Sequence, residues 1–116
     1  QENINIAKEG MRLATEEAGG TAYNVFKNFG VEIAGKTGSA EAGKDSNGND
    51  KVNAWFVCFA PFENPEVAVV VMIENGGHGN YAAEVARDIL TQYFGRNETS
   101  EVNESVKAEP YTESIR

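Results

Sequence analysis

Ile4, Ala7, Met11, Ala14 and Ala18 recur at intervals of three and four, and Glu2, Lys8, Glu9, Arg12, Glu16 and Glu17 fill much of the surface between them. That spacing predicts an amphipathic helix with one narrow apolar face, closed by Gly19-Gly20. An apolar-rich connection from Tyr23 to Phe29 ends at Gly30. Three strands are predicted next: Val31 to Ser39, then Lys51 or Asn53 to Ala60, stopped by Pro61, then Glu66 to Glu74. The third contains the unbroken run Val67-Ala68-Val69-Val70-Val71-Met72-Ile73, which implies burial on both faces. Phe62-Glu63-Asn64-Pro65 is short enough to make strands two and three antiparallel neighbours. The segment from Glu41 to Asp50 suits a longer, more mobile hairpin loop.

Beyond Gly76-Gly77-His78-Gly79 a second helix is expected, with Asn80 as its N-cap. Its apolar face is Ala82, Val85, Ala86, Ile89, Leu90, Tyr93 and Phe94, and Gly95 is placed to stop it. The fold class is therefore α+β, an antiparallel sheet of three strands flanked by N-terminal and C-terminal helices. Residues 1–95 form the folded part. From residue 96 to 116 the chain is rich in Glu, Ser, Thr and Asn, buries too little apolar surface to offset ordering entropy, and is expected to be a disordered polar tail.

A length of 116 residues leaves room for one domain at most. Without the tail and loop, roughly 80 residues remain, a size at which a single core is marginal. The first residue is Gln1, and a two-faced third strand needs more cover than two helices give. The chain thus reads as a piece of a longer protein. A net charge of −8 argues against nucleic acid or an anionic membrane surface as a direct partner. Cys58 is the only cysteine, so it makes no intrachain disulfide, and Phe56-Val57-Cys58-Phe59 reads as core. No apolar run reaches the length of a transmembrane helix.

The stretch Gly30-Val31-Glu32-Ile33-Ala34-Gly35-Lys36-Thr37-Gly38-Ser39-Ala40 fits two incompatible patterns. One is the Gly-x4-Gly-Lys-Thr of a phosphate-binding P-loop. That loop needs small residues between the glycines and a helix starting at Lys-Thr. Here the intervening residues favour extended backbone, and Gly43 to Asp50 is turn chemistry in which no helix begins. The strand reading wins.

Lys36-Thr37-Gly38-Ser39 then becomes part of a series of ordered landmarks. Ile33 to Glu41, Ala54-Trp55-Phe56-Val57-Cys58-Phe59-Ala60-Pro61, Asn64-Pro65-Glu66-Val67-Ala68-Val69, Glu74-Asn75-Gly76-Gly77 and Tyr93-Phe94 follow in series. Glu9-Gly10-Met11 and Gly20-Thr21-Ala22 precede them. Together, from about position 8 to 94, they resemble the C-terminal part of the transpeptidase domain of class B penicillin-binding proteins. The wording is nearest the penicillin-binding protein 2-like branch of that family.

The resemblance implies a fragment of the penicillin-binding serine transferase and β-lactamase-like fold. It implies a parent D,D-transpeptidase that cross-links peptidoglycan stem peptides through an acyl-enzyme serine and is acylated by β-lactams, with no cofactor and no metal. The parent would sit on the extracytoplasmic face of the bacterial membrane, anchored by a segment outside this chain. The family's motif set is Ser-x-x-Lys, Ser-x-Asn and Lys-Thr/Ser-Gly. No serine here is followed three positions later by lysine or two later by asparagine, so only the third motif is present. The fragment alone is expected to be inactive, with the remainder of its own domain as a partner.

By the same resemblance the Ser39 backbone amide is the catalytic oxyanion-hole donor, a contribution of about 3–4 kcal/mol in related sites. Lys36, Thr37, Gly38 and Ser39 form the substrate-binding set. Lys36 supplies positive charge, the Thr37 and Ser39 hydroxyls can hydrogen-bond a carboxylate, and Gly38 lets an extended peptide approach the strand. Other residues are weaker candidates. His78 has no second histidine nearby and reads as an exposed loop residue at the cleft border. Trp55, Phe56 and Phe59 read as core packing, and neither Glu41 nor Glu74 has an acid–base partner at a convincing spacing. Two alternatives stay open: a fragment of a serine β-lactamase-type hydrolase, and a non-catalytic module that captures a peptide on an edge strand.

Overall fold

A computed structural model describes residues 1–95, so the expected polar tail lies outside the described residues. The order is α1 (Glu2–Glu16), a short α2 (Tyr23–Phe26), β1 (Ala34–Lys44), β2 (Asp50–Ala60), β3 (Val67–Ile73) and α3 (Gly79–Tyr93). The strands form one antiparallel sheet in the order β1-β2-β3. The architecture agrees with the α+β expectation, and the one-turn α2 is an addition within the Tyr23 to Phe29 connection.

Pairing divides the side chains between two faces. Gly35, Cys58 and Val69 form one cross-strand row, Thr37, Phe56 and Val71 the next, and Ser39, Ala54 and Ile73 a third. This face carries the core, where Ala54, Phe56, Cys58, Val69 and Val71 pack with Phe26, Phe29, Ala82, Ala83, Ala86 and Leu90. The Phe26 and Phe56 rings stack with centroids 5.6 Å apart. A β-carbon on Gly35 would stand 2.9 Å from Phe56 Cε2, so the glycine makes room for that ring. Cys58 is buried as expected, and desolvation pushes its thiol up to about 11.

Several local expectations are corrected. β1 begins at Ala34, not Val31, and runs through Glu41 to Lys44. Ladder pairing with β2 overrides the loop-like composition, and a register shift between Glu41 and Lys44 absorbs Gly43 at φ 85°. The loop shrinks to a turn in which the Asp45 carboxylate accepts the amides of Asn47 and Asn49, which holds its pKa below the ordinary carboxylate value. On the other sheet face Val70 is 65% exposed, and Met72, Trp55 and Val57 are also exposed. Neither the two-sided burial of β3 nor the core placement of Trp55 holds within residues 1–95. In α3 the buried stripe is Gly79, Ala82, Ala83, Ala86 and Leu90, whereas Val85, Ile89 and Tyr93 face outward. The smallest side chains face the sheet and let the helix approach closely. Asn80 lies inside that helix, and its N-cap is His78, without a side-chain cap bond.

Helix α1 is tied to the entry of β1 and to the β2–β3 hairpin by charge. Arg12 pairs with Glu9 at 2.5 Å and with Glu32 at 3.5 Å, and its guanidinium lies over the Phe62 ring. Lys8 sits over both Phe59 and Phe62. The Arg12 bond lowers the pKa of Glu9 and raises that of Arg12. These are partly exposed contacts that orient the helix more than they stabilise it.

Candidate active site

β1 lies on the outside of the sheet and has β2 as its only strand neighbour among the described residues. Its backbone orientation follows from the residues just before it. The Glu32 carbonyl accepts the Phe62 amide at 3.0 Å, toward the β2–β3 side. Ile33 faces the opposite way, donating its amide to Glu16 Oε1 at 3.0 Å and accepting the Thr15 hydroxyl at its carbonyl. Register is unbroken from Ala34 to Glu41, so alternation carries the orientation of Ile33 to Gly35, Thr37 and Ser39. The Thr37 carbonyl is accordingly free of the ladder and accepts Lys36 Nζ at 2.6 Å.

Thr37, Gly38 and Ser39 line a cleft of about 390 Å³ together with Thr21, His78, Gly79 and Asn80. The cleft lies where three elements meet: the turn after α1, the middle of β1 and the first turn of α3. The Thr37 hydroxyl donates to Thr21 Oγ1 at 3.0 Å. Gly79 presses the helix start onto the strand, since a β-carbon there would stand 3.0 Å from Thr37 Cβ. Lys36 is not among the lining residues. Alternation turns it to the other face, into a row with Val57 and Val70, and it borders an adjoining groove of about 570 Å³ beside Leu13, Ala14 and Glu17. Thr21 lines both spaces.

The sequence singles out the motif residues and places His78 at the cleft border; it names Thr21 only within the Gly20-Thr21-Ala22 landmark and Asn80 only as a helix cap, and neither of them nor Gly79 as a cleft residue. A further signal for the cleft is the pair of glycine-rich segments, Gly19-Gly20-Thr21 and Gly76 to Gly79, at the ends of the helices. Glu41 and Glu74 do not line the cleft. Lys36 and Thr37 sit within a strand, which leaves the P-loop pattern without its helix.

Residues 1–91 match the penicillin binding protein transpeptidase domain. The chain belongs to that family. Among relatives, the peptidoglycan D,D-transpeptidase MrdA of Haemophilus influenzae is 33% identical over 102 residues, covering 78% of this chain and 16% of that protein. MrdA of Escherichia coli is 33% identical over 106 residues, covering 81% and 17%. The structure of Pseudomonas aeruginosa PBP2 in complex with WCK 5153 aligns with TM-score 0.66 at 35% identity, over 79% of this chain and 19% of that one. The penicillin G acyl-enzyme complex of Mycobacterium tuberculosis penicillin-binding protein A aligns with TM-score 0.59 at 32% identity, over 78% and 20%. This penicillin-binding protein segment is PBP2-like, and it spans about a sixth of the length of the curated relatives it matches. Its three-stranded sheet and helices are a fragment of the transpeptidase fold.

Proposed function

We propose that this chain is the C-terminal portion of a peptidoglycan D,D-transpeptidase and supplies one wall of its acyl-transfer site. The observation that carries the reading is the edge strand whose Thr37, Gly38 and Ser39 face an open cleft with the backbone of Thr37 and Ser39 directed outward. An extended stem peptide can lie along such an edge, and Gly38 offers no side chain in its way.

In this reading the attacking serine and its base lie outside the chain, because neither Ser-x-x-Lys nor Ser-x-Asn occurs in it. As the serine oxygen adds to the scissile carbonyl, negative charge develops on the carbonyl oxygen, and the Ser39 amide is the donor this segment contributes to it. The Thr37 and Ser39 hydroxyls donate to the substrate carboxylate, and for this the Thr37 hydroxyl turns its one proton from Thr21 Oγ1 to the substrate while the Thr21 hydroxyl donates to it in return. Lys36 adds positive charge from the adjoining groove. β-Lactams acylate the same serine, as the penicillin G acyl-enzyme of the Mycobacterium tuberculosis relative supports by analogy. The segment alone is inactive, and the whole protein works on the extracytoplasmic face of the bacterial membrane. Among the described residues no helix is long and apolar enough to cross that membrane.

The test is acylation of the full-length protein by a fluorescent penicillin. A stable adduct is expected, with Thr37→Val slowing its formation about tenfold through loss of one hydrogen bond to a charged group. Rapid turnover without a stable adduct would favour a β-lactamase-type hydrolase instead.

A further inference from the structure

We infer that Thr15 and Glu16 are positioning residues for the oxyanion donor, acting through Ile33 at the entry to β1. The inference rests on the acyl-transfer reading above and adds to it a part of α1 that touches no substrate.

Thr15 is fully buried and is the one buried polar side chain among the described residues. Valine has nearly the same shape, so packing alone does not call for a hydroxyl. That hydroxyl donates to the Ile33 carbonyl and also lies 3.0 Å from the Arg12 carbonyl. The adjacent Glu16 carboxylate accepts the Ile33 amide at 3.0 Å. Both backbone groups of Ile33 are thus held by neighbouring side chains of one helix. They are the groups that an edge strand leaves unpaired. Immediately afterwards, at Ala34, the β2 ladder takes over.

The grip has a consequence further along the strand. Ser39 shares the orientation of Ile33 and lies about 20 Å away at ~3.3 Å per residue. β2 fixes the spacing of β1 across the sheet. The tie to α1 adds a second constraint, on the angle and lengthwise position of β1 relative to that helix. The turn that follows this helix is joined to the strand again where Thr21 accepts the Thr37 hydroxyl. Two attachment points, Ile33 and Thr37, bracket Gly35 and Lys36 and leave Ser39 just beyond. Loosening the first lets the strand pivot about the second, which moves the Ser39 amide more than it moves the Thr37 hydroxyl. The expected signature is therefore kinetic. Acylation chemistry suffers most, while the share of carboxylate recognition carried by Thr37 is retained.

The experiment measures fluorescent-penicillin acylation of the full-length protein over a range of concentrations, separating half-saturation from the limiting rate. Thr15→Val and Glu16→Ala are each expected to lower the limiting rate about tenfold, with half-saturation changed less than about twofold, as small misplacements of a reacting group do. Thr15→Ser restores the hydroxyl and Glu16→Gln restores an acceptor for the Ile33 amide, so both are expected to recover most of the rate. Leu90→Ala is the control, since it truncates the core and removes neither side-chain hydrogen bond to Ile33, and its folded fraction is expected to acylate at the unsubstituted limiting rate. An unchanged limiting rate in Thr15→Val and Glu16→Ala, or losses that track folded fraction as in Leu90→Ala, would overturn the positioning role alone. Absence of any adduct in the unsubstituted protein would overturn the transpeptidase reading, and this role with it.

Discussion

Gly79, in the first turn of α3, lies so close to Gly38 of β1 that a β-carbon on it would stand 2.9 Å from both the Gly38 nitrogen and the Gly38 carbonyl oxygen. The atoms it would meet are backbone, not the end of a flexible side chain, so neither partner can step aside cheaply. The closeness also forms one end of the cleft, because Gly38 and Gly79 both line it. Gly79→Ala is expected to push strand and helix apart, at a cost of about 1–3 kcal/mol typical of overpacking. It should also slow penicillin acylation of the full-length protein about tenfold by displacing the strand from the reaction centre. Thermal unfolding and acylation kinetics measure the two effects. An unchanged rate with a lowered midpoint would mean the helix start supports the fold without shaping the site.

Val70 and Met72 expose an apolar face of the sheet that also carries Trp55, Val57 and Lys36. If the remainder of the transpeptidase domain covers that face, Val70→Asp buries an unpaired charge in the full-length protein. The expected loss is about 2 kcal/mol or more, read by denaturant unfolding. A change within about 0.5 kcal/mol, the range of ordinary surface substitutions, would mean the face stays in water.

Cys58 gives a pH-dependent prediction. Its thiol is buried on β2, and desolvation raises its pKa to about 11. A thiol whose folded pKa is raised favours folding fully below the unfolded value, near pH 8.5, and that contribution is lost as pH climbs through about 11. At pH 8 the folded protein should therefore resist alkylation of Cys58 by iodoacetamide, and denaturant should expose it. Rapid modification of the native protein at pH 8 would contradict the buried, neutral thiol.

The sequence pattern made the element order, the antiparallel pairing of β2 with β3 and the motif strand legible, because each is written in local periodicity and turn residues. What it did not show depends on tertiary partners. β1 starts at Ala34 because the backbone of Ile33 is taken by Thr15 and Glu16, and no local pattern around Val31 records that. β1 continues to Lys44 because β2 pairs with residues that, alone, read as a loop. The α3 face is legible at Ala82, Ala86, Leu90 and Phe94 but not at Val85, Ile89 and Tyr93, because hydrophobicity favours the larger residues while the sheet accepts the small Ala83 and Gly79 at close range. Within the cleft, the motif names Thr37, Gly38 and Ser39, but the contact of Thr21 with Thr37 comes only through the fold of the turn after α1.

The most direct test of the central claim is to treat the full-length protein with penicillin, digest it and locate the adduct by mass spectrometry. This account predicts a penicilloyl group on a serine outside these 116 residues, in a Ser-x-x-Lys sequence that this chain lacks. An adduct on Ser39, or on any other residue between Gln1 and Arg116, would contradict it.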